Sequence, residues 1–374
     1  MGLVRWPGGA VVVCALLGAA ACRQGAGELP VIRLGHALHD HHAPLYVAAR
    51  HSAFFREHGG VYLREVADRA EYALVAQGRV VARVQVGSST GGQELVRRLA
   101  EDQFDVAFGG FPAMVEAIDR GAPLRIIAPV MAGGAALVVN PEFPVESWGD
   151  LVALARSRVP PLRIGYTVAV SVQGLVFEEA LRAEGLRYAD RLDAPDAQVI
   201  LINLHGPGNL IPALENGLVD GFVAMQPYVA MAEAQGKGRF VAFLEGEPFE
   251  PAGHYPCCAV AARSEVLQAQ GPAVEHLLAL LLRAARYVTE DPEGAAPLVA
   301  QWLGGSVVVE RRSLSTIRFT TEIDAAWEEG ARAWVRAMTA RGLLAGRVGQ
   351  AYGRGELEAA LYDLQLFHRA RSRL

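Results

Sequence analysis

Cysteine is scarce, basic residues form no block, and no apolar run is long enough for an ordinary membrane span. The 374 residues hold four cysteines and carry a formal net charge of −5. With no basic run, nucleic acid is a poor partner for the chain. The apolar and small-residue stretch from Gly9 to Ala21 falls short of the roughly 20 residues that cross a bilayer. Gly-x-Ser-x-Gly, a phosphate-binding P-loop and a dinucleotide fingerprint are all missing, which removes the commonest sequence grounds for an enzyme. No spacing matches a closed zinc finger or His-Glu-x-x-His. What is present is apolar: 52% of the residues are hydrophobic, enough for a large core and for two lobes rather than one.

The four cysteines divide by position. Arg5 and the apolar stretch after it have the form of an export signal over residues 1–21. Leu16-Leu17-Gly18-Ala19-Ala20-Ala21-Cys22 resembles a bacterial lipoprotein cleavage site, with Cys22 as the lipidated N-terminus. A plain secretory cut near Ala21 is the alternative. Either way the mature chain is exported, to the periplasm or the outer side of the cell envelope, and residues 22–30 act as a tether. Cys14 leaves with the signal, so Cys257 and Cys258 remain as adjacent thiols. Neighbouring residues meet ordinary disulfide geometry only with strain. Two free thiols in an exported protein call for a reason, unless both are simply small buried hydrophobes.

Strand and helix patterns alternate from Val31 to Leu244, which predicts an α/β chain with a largely parallel sheet. From Val274 the pattern is almost wholly helical. One unit occurs twice at a constant offset of 115 residues, pairing Leu99 with Leu214, Asp105 with Asp220 and Pro112 with Pro227. Such an echo implies one helix–strand–helix unit used twice, facing itself across a cleft in a two-lobed protein. The same offset sets Thr90 opposite His205.

The densest chemistry lies in Gly35-His36-Ala37-Leu38-His39-Asp40-His41-His42-Ala43-Pro44, a strand-to-helix turn of the kind at which open α/β sheets place ligands. Imidazole is the commonest protein ligand for transition metals. His39, His41 and His42, with Cys257 and an oxygen from Asp40, are therefore candidate ligands for Zn, Cu, Ni, Co or Fe. The other reading is that these histidines hydrogen-bond an organic ligand or solvent. His205 and His254 are expected to reach the same cleft. Side chains alternate along a strand, so at most one of Cys257 and Cys258 is expected to point at the site. Ser89 and Thr90, before Gly91-Gly92, open one helix, and Thr167 to Gln173, including Ser171, opens another. Both offer unpaired N–H groups and partial positive charge to an anion. His36, Tyr46, Gly110, Phe111, Gln226 and Tyr228 complete the expected ligand-binding set.

The residues His42-Ala43-Pro44-Leu45-Tyr46-Val47-Ala48-Ala49, Ser89-Thr90-Gly91-Gly92 through Asp105-Val106-Ala107-Phe108-Gly109-Gly110, and Val219-Asp220-Gly221-Phe222-Val223 with Pro227-Tyr228 resemble the periplasmic substrate-binding proteins of ABC importers. The class is that of nitrate, sulfonate, taurine, bicarbonate and thiamine-pyrimidine binders. The resemblance implies a type II bilobal clamshell of two α/β lobes with a helical C-terminal segment. Residues 31–128 would begin lobe one, 129–238 would form lobe two, and 239–374 would hold the return to lobe one and the C-terminal helices. It further implies a monomer that takes a small-molecule or metal ligand between its lobes and delivers it to an ABC permease and ATPase, without turning it over. The departures are the histidine-rich first turn and Gln226 before Pro227, where the family often has an acidic residue. A pyrimidine-synthase-like single-turnover enzyme, with a histidine donor and iron, also resembles this family and stands as the alternative.

Overall fold

Two mixed β-sheets with flanking helices carry the chain, in a computed structural model that describes residues 28–89, 91–246 and 255–374. The first sheet has eight strands, in spatial order Arg318–Phe319, Leu124–Ala132, Pro256–Arg263, Val106–Gly110, Val31–Ala37, Arg79–Ser89, Glu71–Ala76 and Val61–Ala67. The second has six, in the order Arg239–Phe243, Ala135–Val139, Gly221–Met225, Leu162–Tyr166, Val199–Asn203 and Tyr188–Ala189. Central strands are buried on both faces, as sheets covered by helices require. All eight residues of Pro256–Arg263 are buried, and the Ser264–Glu290 helix lays Leu277, Leu278, Leu281 and Leu282 into the core beside it.

The sheets are less parallel than the alternating pattern suggests. In the first sheet only the pairings of Val31–Ala37 with its two neighbours run parallel. The reason is local. Glu71–Ala76 and Arg79–Ser89 form a hairpin across Gln77 and Gly78, both at positive φ, as a two-residue turn compatible with sheet twist demands. Gln-Gly is a weaker signal for that turn than Asn-Gly, and the Glu71–Ala76 strand escapes the pattern reading. Pro256–Arg263 re-enters the first sheet antiparallel to both neighbours.

The crossovers also fall later than 128 and 238. Leu124–Ala132 lies wholly in the first sheet, and the chain passes to the second through Gly133 and Gly134, at φ 65° and 80°. Arg239–Phe243 pairs with Ala135–Val139 in the second sheet. The expected helix over 357–369 is two helices, Leu357–Leu361 and Gln365–Arg371. They part at Tyr362, which bridges to Ile126 at the sheet.

The repeated unit is present in both halves. Gly92–Ala100, Val106–Gly110 and Phe111–Asp119 form one copy, and Leu210–Glu215, Gly221–Met225 and Tyr228–Ala234 the other. Each copy begins its strand with a buried aspartate that does the same work. The Asp105 carboxylate accepts the Arg33 backbone N–H at 2.8 Å and its Nε–H at 3.0 Å. The Asp220 carboxylate accepts the Arg163 backbone N–H at 2.8 Å and an Nη2–H at 2.9 Å. A buried carboxylate satisfied this way locks the strand to the start of its parallel neighbour. Replacing Asp220 by Ala is expected to destabilise the chain by about 2 kcal/mol in urea unfolding, the loss being limited by partial exposure of Arg163. Asp220→Asn should lose less.

Candidate functional site

The histidine-rich turn is built from the inside. Val31–Ala37 ends at the turn, Asp40–His42 makes one turn of 3₁₀ helix, and Ala43–Arg50 continues as α-helix with Pro44 in its first turn, where a missing N–H costs nothing. The Tyr46 hydroxyl donates to the Ala37 carbonyl at 2.6 Å and lies 3.1 Å from that of His39. Trp302 stacks on the Tyr46 ring at 5.1 Å between centroids. The Ala37 N–H donates to His42 Nδ1 at 2.9 Å, which places the proton of a neutral His42 on Nε2. These contacts hold the turn in one shape, with Asp40, His41 and His42 each buried.

Asp40 joins the turn to the rest of the molecule. Its backbone N–H donates to the Gln226 carbonyl at 3.2 Å, and its carboxyl group is bonded by the Ser313 hydroxyl. Glu310, from the same Val307–Leu314 helix as Ser313, faces it. Burial, with Glu310 alongside, holds the Asp40 carboxyl well above the usual carboxylate range, and burial raises Glu310 as well. Two acids removed from water together favour the protonated form of at least one.

The expected site residues separate into three groups. His39 and His41, with Gly110, Thr167, Ser171, Cys257 and Cys258, line a cavity between the two sheets' lobes. His36, His42, Tyr46, Phe111, Gln226 and Tyr228 do not line it; they brace it. His36 turns into lobe one, with its ring edge-on to Tyr46 and Trp302. Phe111 packs edge-on to Trp327, because the first residue of that helix faces the core. The Gln226 side chain donates to Thr316 Oγ1 at 3.0 Å and accepts the Ala230 N–H at 3.1 Å. The Tyr228 hydroxyl donates to the Leu38 carbonyl at 3.2 Å, linking the lobes. Ser89 is half-buried at its strand's end and away from the cavity lining. His205 is exposed, since a left-handed backbone at φ 55° turns that loop outward. Thr90, His254 and Cys22 lie outside the described residues.

The cavity is narrow, with a volume of about 40 Å³. That suits a small solute held tightly. One wall is the start of the Gly92–Ala100 helix, with Gly91, Gly92 and Gln93. The opposite wall runs from Thr167 to Gln173, where the Ser171 hydroxyl caps the Val172–Ala183 helix by accepting the Gly174 N–H at 3.2 Å. Thr167 Oγ1 is buried without a hydrogen-bond partner among the described residues. Met225 was not expected in the lining, yet it stands at the repeat offset from Gly110 and meets the cavity from the other lobe. The echo held that information.

Both cysteines reach the floor of the cavity, against the expectation of one. The Pro256–Arg263 strand skips register against Leu124–Ala132 between Pro256 and Cys258. Such a bulge re-aims a side chain. Cys257 Sγ lies 3.5 Å and Cys258 Sγ 3.8 Å from His41 Nδ1, and the sulfurs are 3.9 Å apart. The Cys258 thiol is drawn well below the usual thiol range, first by the Cys257 thiol donating to it and then by His41 and His42. Burial pushes Cys257 up.

Residues 25–304 match the NMT1-like family, about three quarters of the sequence. The chain belongs to the NMT1-like family. Across 120 residues it is 32% identical to a protein of Methanocaldococcus jannaschii described as uncharacterized, covering 32% of this chain and 83% of that one. The fold of this NMT1-like chain is that of the bilobal periplasmic binding proteins of ABC importers. It is similar to a ligand-binding component of an ABC-type import system from Staphylococcus aureus with zinc bound (TM-score 0.69, 13% identity, 91% of this chain and 99% of that). It is similar also to the nitrate-binding protein of Synechocystis PCC 6803 (0.68, 15%, 93% and 89%). The alkanesulfonate-binding protein of Xanthomonas axonopodis, bound to MOPS, superposes as well (0.65, 18%, 90% and 99%). No helix among the described residues is long and apolar enough to cross a membrane.

Burial makes this NMT1-like protein sensitive to acid. The His36 imidazole is lowered to about 3, chiefly by burial and then by His42. An imidazole that binds its proton more weakly when folded costs no stability above its unfolded value near 6.5. As pH falls from there towards 3, the unfolded chain takes up a proton that the folded chain refuses. This one residue should remove on the order of 5 kcal/mol across that window. His36→Leu is expected to flatten the acid limb of a stability-against-pH curve measured by urea unfolding, and an unchanged limb would refute the assignment.

Proposed function

We propose that this NMT1-like chain is an exported solute-binding protein of an ABC importer, lipid-anchored through Cys22, that traps a small ligand between its lobes and presents it to a permease. The observation that carries the reading is the interlobe cavity. Both lobes contribute helix starts to it, at Gly91–Gly92 and at Ser171–Val172. Helix N-termini supply unpaired N–H groups and partial positive charge, which suit an oxyanion, a sulfonate or an electron-rich heterocycle. Solved proteins of the same fold are described as binding nitrate, an alkanesulfonate buffer and zinc, so the fold accommodates ligands of this size and variety. The residues that would touch the ligand are Gly91, Gly92, Gly110, Thr167, Ser171, His39 and His41. In a closed state this tight, the two lobes must separate for a solute to enter, as hinge closure about a ligand requires.

The test is a melting-temperature screen over nitrate, methanesulfonate, taurine, bicarbonate, an aminopyrimidine and divalent metals, with small-angle scattering on any hit. A ligand that raises the melting temperature should also contract the molecule. Thr167→Val keeps the shape of the wall and removes its unpartnered hydroxyl. It should weaken binding of the hit about tenfold, the size of one hydrogen bond. No response to any solute, with no change in dimensions, would overturn the proposal.

A further inference from the structure

Three buried ligand atoms from two distant parts of the chain meet at one point on the cavity floor. His41 Nδ1, Cys257 Sγ and Cys258 Sγ all lie within 4.8 Å of one another, on residues that are at most 4% exposed. Their separations are those of a filled coordination triangle. A tetrahedral ion ~2.3 Å from each sulfur and ~2.0 Å from the nitrogen sets sulfurs roughly 3.8 Å apart and sulfur and nitrogen roughly 3.5 Å apart. The distances here are 3.9 Å between the sulfurs, and 3.5 and 3.8 Å from sulfur to nitrogen. The strand bulge at Cys257 that makes this spacing possible interrupts a fully buried strand.

The surroundings point the same way. His39 Nδ1 is buried without a hydrogen-bond partner among the described residues. Buried polar atoms left unpaired cost stability unless something absent from the protein alone satisfies them. His39 lines the cavity beside the triangle, so the fourth position opens to the solute space rather than to the core. Three protein ligands with one open position is the pattern of sites that exchange or present what they hold, whereas four closed ligands mark a structural ion.

We propose that His41, Cys257 and Cys258 bind a thiophilic metal ion, Zn(II) foremost, and that this ion, alone or carrying a small ligand in its fourth position, is the solute of the interlobe cavity. The inference rests on the reading of the chain as a solute-binding protein and adds to it the chemical class of the solute. Two thiolates and a neutral imidazole leave a divalent ion with no net charge, the form that burial tolerates best. Hard cations such as Mg(II) and Ca(II) prefer oxygen donors and are disfavoured. In the complex both sulfurs are thiolates, so any thiol proton leaves to solvent as the ion enters, and no electrons move.

The experiment uses the full exported chain, stripped with a chelator and kept reduced with a phosphine. Zinc chloride is titrated in competition with a chromophoric chelator. One Zn(II) per chain is expected. Cobalt(II) in its place should give a thiolate-to-metal charge-transfer band. Cys257→Ser, Cys258→Ser and His41→Ala should each weaken zinc binding at least tenfold and the serine variants should diminish the band, while His368→Ala, at an exposed helix position, should leave both unchanged. If a variant fails to fold, the wild type still decides: zinc should slow alkylation of both Cys257 and Cys258, mapped by peptide mass. Less than half an equivalent of zinc, a cobalt spectrum without the thiolate band, or alkylation unaffected by zinc overturns the site. Nitrate or methanesulfonate raising the melting temperature of metal-free protein, with no zinc bound, removes the metal and leaves the solute-binding reading intact. Failure of zinc together with failure of every other solute removes both.

Discussion

Taking four imidazoles and a carboxyl group out of water at the end of one strand is the constraint that the rest of this molecule accommodates. His36, His39, His41 and His42 are all but fully buried, as is Asp40. None can carry charge there cheaply, and burial lowers His36, His39 and His42. The turn is held instead by neutral contacts: Tyr46 to the Ala37 carbonyl, Ala37 to His42, and Trp302 against Tyr46. The C-terminal helices supply Trp302, Glu310 and Ser313 to this one spot. Their position is explained by what the turn needs around it.

The lobes are joined at that same junction. Asp40 and Leu38 on the first meet Gln226 and Tyr228 on the second, and Gln226 in turn is held by Thr316. Further out, Arg312 pairs with Glu233 at 2.8 Å and Arg341 with Glu179 at 2.9 Å, so the C-terminal segment grips lobe two at both ends. Exposed pairs of this kind contribute little each. Arg341, whose side chain is 8% exposed, is the stronger of the two because solvent screens it less. These polar contacts add to an apolar one, since a single cluster of buried side chains runs from Val106 and Phe108 in the first sheet to Ile164 and Val223 in the second.

Much of this was legible in the order of residues. The alternation of strand and helix, the two-lobed division, the twice-used unit and the strand-to-helix turn at His36–Pro44 all follow from local pattern, because periodicity and turn chemistry are local properties. The exact site was not. Tyr46, Gln226 and Tyr228 look like ligand contacts in sequence because they flank the right turns. The structure spends their polar groups on backbone carbonyls and on Thr316, a choice fixed by packing across 7 to 190 residues of separation. Both cysteines facing one histidine depends on a bulge, which no alternation rule contains. The Glu71–Ala76 strand was hidden by a Gln-Gly turn. Met225 and Pro207 had a signal among the unexpected cavity residues, through their matches to Gly110 and Gly92.

Gly134 stands where the chain crosses between the sheets and where the histidine turn meets that crossing. It lies at the passage between sheets with φ 80°, and a Cβ added there would stand 3.0 Å from His41 Nε2. Its own N–H donates to Glu245 at 2.5 Å, from the segment that starts the return to lobe one. One of the two glycines at the crossing thus leaves no room for a side chain beside the imidazole that faces both thiols. His41, Cys257 and Cys258 all belong to lobe one, and Thr167 and Met225 of lobe two face them across the cavity. Any side chain at position 134 would strain the crossing and crowd the His41 imidazole at once.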